Sequence, residues 1–339
     1  MGTILITAVN AVAPVVLVIL LGYLLKQGGF LSREFVKTGN KLVFNVCLPC
    51  MLFINVYDID GFSSINWDIV LYCTAMLLVI FALGFFAAVL TTDVPQRRGV
   101  IWQCTFRSNF AIIGLSLAGA LGGEQAMAVA AIVSSFTVPL FNILAVIALS
   151  MFVDHGGGKK TDVREILRNI VKNPLIISVA LGLACLGIRE LQTALWGRAV
   201  FTLKQQGKFL YTTLNNLKAI ASPFALLVLG GQFTFSAVRG LLKEICVGTL
   251  WRIVIAPVLG IGGAILLGST GLLCCGVNEY PALIAMFGSP VAVSSAVMAG
   301  SMGGDEQLAT QLVVWTSLFS ILTIFGQVCV LMSIGLLSV

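Results

Sequence analysis

Four basic side chains, Lys41, Arg107, Lys218 and Arg252, fall within or at the edge of long apolar runs, and no Asp or Glu lies near the middle of any run. The closest acids are Glu244 and Asp68, near run ends. A cation buried in hydrocarbon costs several kcal/mol unless it is paired, hydrated or able to reach the interface, so an unpartnered one is a functional candidate. Basic charge with no facing carboxylate suits an anionic ligand. Arg107 is the foremost candidate, because Phe106-Arg107-Ser108-Asn109-Phe110 clusters polar groups ahead of Gly114 and Ser116. A second cluster, Ser289-Pro290-Val291-Ala292-Val293-Ser294-Ser295, sets three hydroxyls around a proline that removes a backbone donor and disturbs the preceding turn.

If the helix carrying Arg107 breaks around Gly114 to Ser116, freed backbone groups together with Asn109 can hold a polar ligand at membrane depth. Helix N-termini, amides and hydroxyls attract carboxylates. The competing reading has Arg107 reaching to the cytoplasmic surface and the serines bonded back to their own helices. Pro49 and Pro223, in Leu-Pro-Cys-Met-Leu-Phe and Ser-Pro-Phe-Ala-Leu-Leu, are expected to shape the helices that bracket the site. Asn45 and Arg252 are further supporting residues, Arg252 chiefly as an anchor of its helix.

Other chemistries find little support. The nine cysteines fall mostly inside apolar runs, where Cys behaves as a small hydrophobe. Cys47 and Cys50 form a CxxC with Pro49 inside it and no His nearby, which reads as packing rather than redox or zinc chemistry. His155, the single histidine, sits in His-Gly-Gly-Gly-Lys-Lys, a solvated loop, so a His-based proton relay is not available. No nucleophile with a base, metal cluster or phosphate-cradling loop is legible, and neither a metal nor a cofactor is expected. The net charge of +6 carries no basic run interleaved with aromatics and therefore no nucleic-acid footprint.

The elements that position these residues follow from composition. A chain of 339 residues, 58% hydrophobic, 10% charged and with a mean hydropathy of +1.03, is an integral membrane protein whose partner is the lipid bilayer. Apolar runs predict helices over 4–25, 38–57, 67–90, 99–121, 126–152, 174–188, 209–230, 242–267, 280–301 and 308–337. The first reads as a retained helix rather than a removed signal peptide. Gly114–Ala128 aligns without a gap on Ser295–Ala309, matching Ala118 with Ala299, Gly119 with Gly300, Gly122 with Gly303, Gly123 with Gly304 and Ala128 with Ala309. A module present twice, rich in Gly and small residues, points to the paired interrupted helices between which secondary transporters bind substrate.

The expected fold is thus an all-α membrane protein of ten transmembrane helices in two inverted five-helix repeats, 1–152 and 174–339, joined by a cytoplasmic loop at 153–173. Helices four and nine are the expected interrupted pair. Lys and Arg concentrate in the odd-numbered loops (Lys26, Arg33, Arg97, Lys159, Arg239 among them), which places those loops in the cytoplasm and both termini outside.

At these residues the chain resembles the auxin efflux carrier family of membrane permeases, whose bacterial members are commonly described as malate or malonate carriers. The resemblance covers nearly the whole length. It rests on Leu48-Pro49, Arg107-Ser108-Asn109 with Gly114, Asn173-Pro174, Ser222-Pro223 with Leu229-Gly230, Arg252 to Pro257, and Pro290-Val-Ala-Val with Ala299. It implies ten helices in two inverted halves with broken helices four and nine crossed, as in sodium/proton antiporters and bile-acid symporters, elevator-like movement of a transport domain against a scaffold, a homodimer, and a substrate-lining role for Asn109. Where the family usually has a proline after the Gly of helix four this chain has Ser116, and plant members carry a proline near Ser295, so softer helix breaks and a different substrate are expected.

The function expected is a carrier for small organic anions, dicarboxylates or auxin-like acids, in the plasma membrane (a bacterial inner membrane). Arg107, Ser108, Asn109, Gly114, Ser116, Ser289, Pro290, Ser294 and Ser295 form the candidate site. Coupling to H+ or Na+ stays open. A sodium-coupled symporter of the bile-acid type and a non-transporting receptor remain as alternatives.

Overall fold

The computed structural model describes residues 2–58, 66–152, 171–273, 275–276 and 278–337. His155, Cys274 and nearly all of the expected cytoplasmic loop lie outside the described residues.

Backbone amides in hydrocarbon must be satisfied internally, which long apolar runs achieve as helices. The order is α1 (Gly2–Gln27), α2 (Arg33–Leu42) running through a π-turn (Val43–Cys47) into α3 (Leu48–Tyr57), α4 (Trp67–Thr91), α5 (Pro95–Phe106), a π-turn (Phe110–Gly114) leading into α6 (Leu115–Ser150), α7 (Pro174–Trp196) and α8 (Lys208–Gln232). Then come α9 (Leu242–Leu250), a π-turn (Trp251–Ile255) into α10 (Ala256–Ser269), α11 (Glu279–Leu283) with a π-turn (Ile284–Gly288), α12 (Ser294–Ser301) and α13 (Glu306–Ser333). Seven of the resulting helices are long and apolar enough to cross a membrane by themselves. Among the described residues there is no strand, only one antiparallel bridge, between Ser108 and Val291.

Side chains set the starts. Asn66, Asn173 and Asp305 each accept a hydrogen bond from the first turn of α4, α7 and α13, and Pro95 and Pro174 open their helices where no donor is missed. Helix α7 extends well past the apolar run that predicted it: Arg189 stays helical and donates to the Tyr57 carbonyl at 3.0 Å. Helix α8 packs on α1 and α3, α3 packs also on α7, and α1 lies along α13 as well, while α4, α5, α6 and α9 to α13 pack among themselves around the two breaks.

The duplicated glycines mark turns. Helix α6 changes direction at Gly122–Gly123, where Gly123 has φ +70°, and the chain turns again between α12 and α13 at Gly303, φ +77°. Side chains rarely adopt such backbone angles, so each copy needs a glycine at its turn, the second of the pair in the first copy and the first of the pair in the second.

One expectation is corrected. The break ahead of α6 lies at Arg107–Asn109, not at Gly114 to Ser116: Arg107 is extended (φ −85°, ψ 103°) and Asn109 has ψ 44°. Gly114 and Ser116 lie on wound turns beyond it. Gly114 is required for closeness instead, since a Cβ there would lie 2.7 Å from the Ala285 carbonyl oxygen. The second break falls where Pro290 predicts it, with Ser289 extended (ψ 148°), as a residue preceding proline prefers.

Candidate functional site

The two breaks meet at the centre of the molecule. The Asn109 N–H donates to the Pro290 carbonyl at 2.7 Å, and the Ala292 N–H returns to the Arg107 carbonyl at 3.3 Å. Bonds that each interrupted helix has lost along its own axis are replaced by bonds to the other. Thr316 of α13 and Gln103 of α5 secure the second segment, Thr316 Oγ1 accepting from the Val291 N–H at 3.1 Å and Gln103 Nε2 donating to the Ser295 carbonyl at 3.0 Å.

On one side of this junction the chain restarts as helix twice, at Phe110 and at Ser294. A small cavity of about 40 Å³ is lined there by Arg107, Ser108, Asn109 and Ala111, by Asn142 of α6, and by Ala292, Val293 and Ser294. Its remaining wall is Leu48, Met51 and Leu52 of α3 with Ala221, Ser222 and Ala225 of α8. This volume holds a few water molecules. Arg107 is 3% exposed and donates through Nη2 to Asn142 Oδ1 at 2.6 Å and to Ser294 Oγ at 2.8 Å, while Nη1 points at the Met298 sulfur. No carboxylate among the described residues pairs with it. Ser108 Oγ and Asn109 Nδ2 are buried without any partner. Native interiors rarely leave such groups unpaired, and each calls for a ligand or water. Two helix N-termini and an uncompensated guanidinium together make the cavity electropositive.

On the other side of the junction two helices end, and Arg252 fills the space between them. It is 1% exposed and donates to the carbonyls of Thr105 (3.4 Å), Met286 (3.3 Å), Phe287 and Ser289 (3.1 Å). Carbonyls at helix C-termini lack intrahelical donors and carry partial negative charge, which this guanidinium satisfies.

A family model described as membrane transport protein, that of the auxin efflux carriers, matches residues 7–326. The chain belongs to this family. Among its relatives are an uncharacterized transporter of Methanothermobacter thermautotrophicus, 22% identical over 93% of this chain and 95% of the relative. An uncharacterized transporter of Methanocaldococcus jannaschii is 22% identical over 93% of this chain and 96% of its own. The resemblance read from Arg107-Ser108-Asn109 and Pro290 is therefore shown at the level of the family, and the chain is a multi-pass membrane transporter.

Within this transporter the candidate residues separate into groups. Arg107, Ser108, Asn109 and Ser294 line the cavity, and Arg107 does not reach the surface. Pro290 shapes the junction through its carbonyl, and Ser295 is buried one position beyond the lining with its hydroxyl unpartnered. Ser289 departs from its expected role: its hydroxyl bonds back to the Ala285 carbonyl at 2.6 Å and does not face the cavity. Ser116 is exposed and bonds back to the Ile112 carbonyl at 3.3 Å, and Gly114 packs away from the cavity. These are cases where a helical hydroxyl found its own backbone first.

Of the supporting residues, Asn45 is exposed and bonds to the Lys41 carbonyl at 2.8 Å, outside the site. Pro49 follows the π-turn of the α2–α3 rod, and the cavity wall is formed by its neighbours Leu48, Met51 and Leu52. Pro223 is exposed within an uninterrupted α8, whose Ala221, Ser222 and Ala225 face the cavity. Sequence reasoning missed Asn142, which orients Arg107 and donates to the Val138 carbonyl at 2.7 Å. A lone amide inside the apolar run Leu140-Phe141-Asn142-Ile143-Leu144 was the available signal.

Proposed function

We propose that the chain is a secondary carrier of small organic anions, carboxylates such as malate or malonate, and that the cavity beside the crossed breaks is where they bind. The observation that carries this reading is one buried guanidinium without a carboxylate, next to an unpartnered serine hydroxyl and an unpartnered asparagine amide, at two helix N-termini. Arg107 supplies charge, Asn109 Nδ2 and the hydroxyls of Ser108 and Ser294 supply hydrogen bonds, and hydrocarbon on α3 and α8 excludes water.

Counting each interrupted helix as one crossing and dividing α6 at Gly122–Gly123 supports the proposed ten crossings in two inverted five-helix halves, 1–152 and 174–339. An even number puts both termini on one side, and the basic odd-numbered loops make that side the outside of the plasma membrane in this reading. A cavity of about 40 Å³ does not admit a dicarboxylate, so loading requires α3 and α8 to separate from the crossed helices. That separation is the elevator-type movement of α4 to α6 and α9 to α13 against α1, α3, α7 and α8, the last of which would carry the homodimer contact.

Uptake of labelled malate, malonate and an aromatic acid into proteoliposomes tests this, with the wild type beside Asn109→Ala and Arg107→Ala. Loss of uptake of at least one acid in both variants is expected. Uptake equal to wild type in both sinks the site, and no uptake of any organic anion by the wild type sinks the substrate class.

A further inference from the structure

Arg252 lies where a cation-coupled carrier would need its cation. Two helix ends, α5 at Thr105 and the α11 π-turn at Met286 to Ser289, surround one guanidinium with four carbonyl oxygens, Ser289 on Nε, Thr105 on Nη1, and Met286 and Phe287 on Nη2. Each helix C-terminus behaves as roughly half a negative charge, and buried carbonyls left without donors are costly. Backbone carbonyls converging at membrane depth are also the ligand set that holds Na+ at the C-terminal ends of half-helices. Here the space between the helix ends is filled by a side chain tethered to the π-turn Trp251–Ile255, with no carboxylate pairing it among the described residues.

Resting on the reading that transport runs through this crossing, we propose that Arg252 is a resident countercharge that takes the place of a coupling metal cation there. The negative ends of the two helices are compensated permanently, so the N-terminal side loads an organic anion with no Na+ bound at the crossing. The two buried arginines thus divide the work. Arg107 is met by side-chain groups of Asn142, Ser294 and Met298 and leaves its charge for a ligand, whereas Arg252 is saturated by backbone carbonyls and acts as a positioning residue.

The test measures thermal unfolding of the purified full chain, without any organic anion, in sodium, lithium and choline chloride at matched ionic strength. The wild type is expected to unfold at the same temperature in all three. Arg252→Gln is expected to unfold several degrees lower in choline and to regain part of that loss, saturably, in sodium or lithium, because the vacated carbonyls then accept a small cation. Arg252→Lys, which keeps a cation, is expected to be indifferent to sodium. A saturable sodium-specific rise in the wild type overturns the proposal, as does an Arg252→Gln variant equally destabilised in all three salts. Where Arg252→Gln is not obtained folded, sodium dependence of Arg252→Lys overturns it and indifference supports it. No anion enters the measurement, so its failure is separable from that of the anion-carrier reading, which the proteoliposome uptake decides.

Discussion

Replacing Arg107 with Gln separates binding from stability, because anion binding should fall far more than the stability of the empty protein. The guanidinium makes two side-chain hydrogen bonds, to Asn142 and Ser294, at 2.6 and 2.8 Å, and a Gln amide of shorter reach can retain one of them. Against those bonds stands an unpaired charge, 3% exposed, in a protein that crosses hydrocarbon. Such a charge costs roughly 2.5–3.5 kcal/mol at the centre of a membrane helix on insertion scales, and hydrogen bonds to charged groups return about 1.5–3 kcal/mol each. Two such bonds return about 3–6 kcal/mol, which meets or exceeds that cost, and one neutral bond kept by Gln offsets part of their loss, so the empty variant should unfold near the wild-type temperature or a little below it. An anion loses its charge partner, worth about 1.5–3 kcal/mol, so its Kd should rise roughly 10- to 150-fold. Ligand-induced shifts in unfolding temperature across a panel of organic acids measure both quantities in one preparation. An Arg107→Gln protein that binds the acids as tightly as wild type, or that unfolds far below it while empty, refutes the view that this charge is kept for a ligand.

Substitutions at four further positions follow from the structure. Ser294→Ala removes the hydroxyl that accepts from Arg107 in the cavity and should weaken anion binding by roughly 2- to 12-fold, from about 0.5–1.5 kcal/mol; Ser116→Ala, exposed and self-bonded, should leave binding and transport unchanged. Gly114→Ala places a methyl 2.7 Å from the Ala285 carbonyl oxygen and 2.6 Å from the Phe110 ring, so stability should fall by about 1–3 kcal/mol, read by unfolding temperature, with transport lost alongside. Glu306 at the start of α13 accepts from Asn40 of α2 at 3.0 Å and from Gln232 of α8 at 2.6 Å; Glu306→Ala should cost about 1–3 kcal/mol by stranding those amides. Glu306→Gln, which keeps an acceptor, should cost less, and equal losses would show that the bonds are not what matters.

What was legible in the sequence is what depends on residue type alone. A cation without an acid in an apolar run is visible in Arg107; the repeated Gly-Gly points to an interrupted pair, but its glycines turn the chain beyond the breaks, at Gly123 and Gly303. Pro290 located the second break because proline acts on its own turn. The first break was misplaced because no local residue makes it. The backbone leaves the helix at Arg107 to Asn109 for partners at Pro290 and Ala292, far along the chain, and Gly114 was taken for a helix breaker when its part is to let the Ala285 carbonyl approach. Arg252 read as an anchor for the same reason: its four acceptors are carbonyls that become free only once both helices are interrupted.

The family resemblance predicted softer breaks here, because Ser116 stands where a proline is usual. The structure locates firmness elsewhere. Ser116 sits on an exposed, fully wound turn past the interruption, so a proline at that position would act on helix α6 rather than on the residues that line the cavity. The interruption itself is closed by two backbone bonds between the segments, by Thr316 and Gln103 from flanking helices, and by Arg252 across both helix ends. A junction held by tertiary bonds can keep its shape while a residue such as 116 varies. On the proposed reading, the choice of anion then falls to the donors at 107–109, Ser294 and the wall on α3 and α8, where Ser222 is the one polar side chain among the residues that line it.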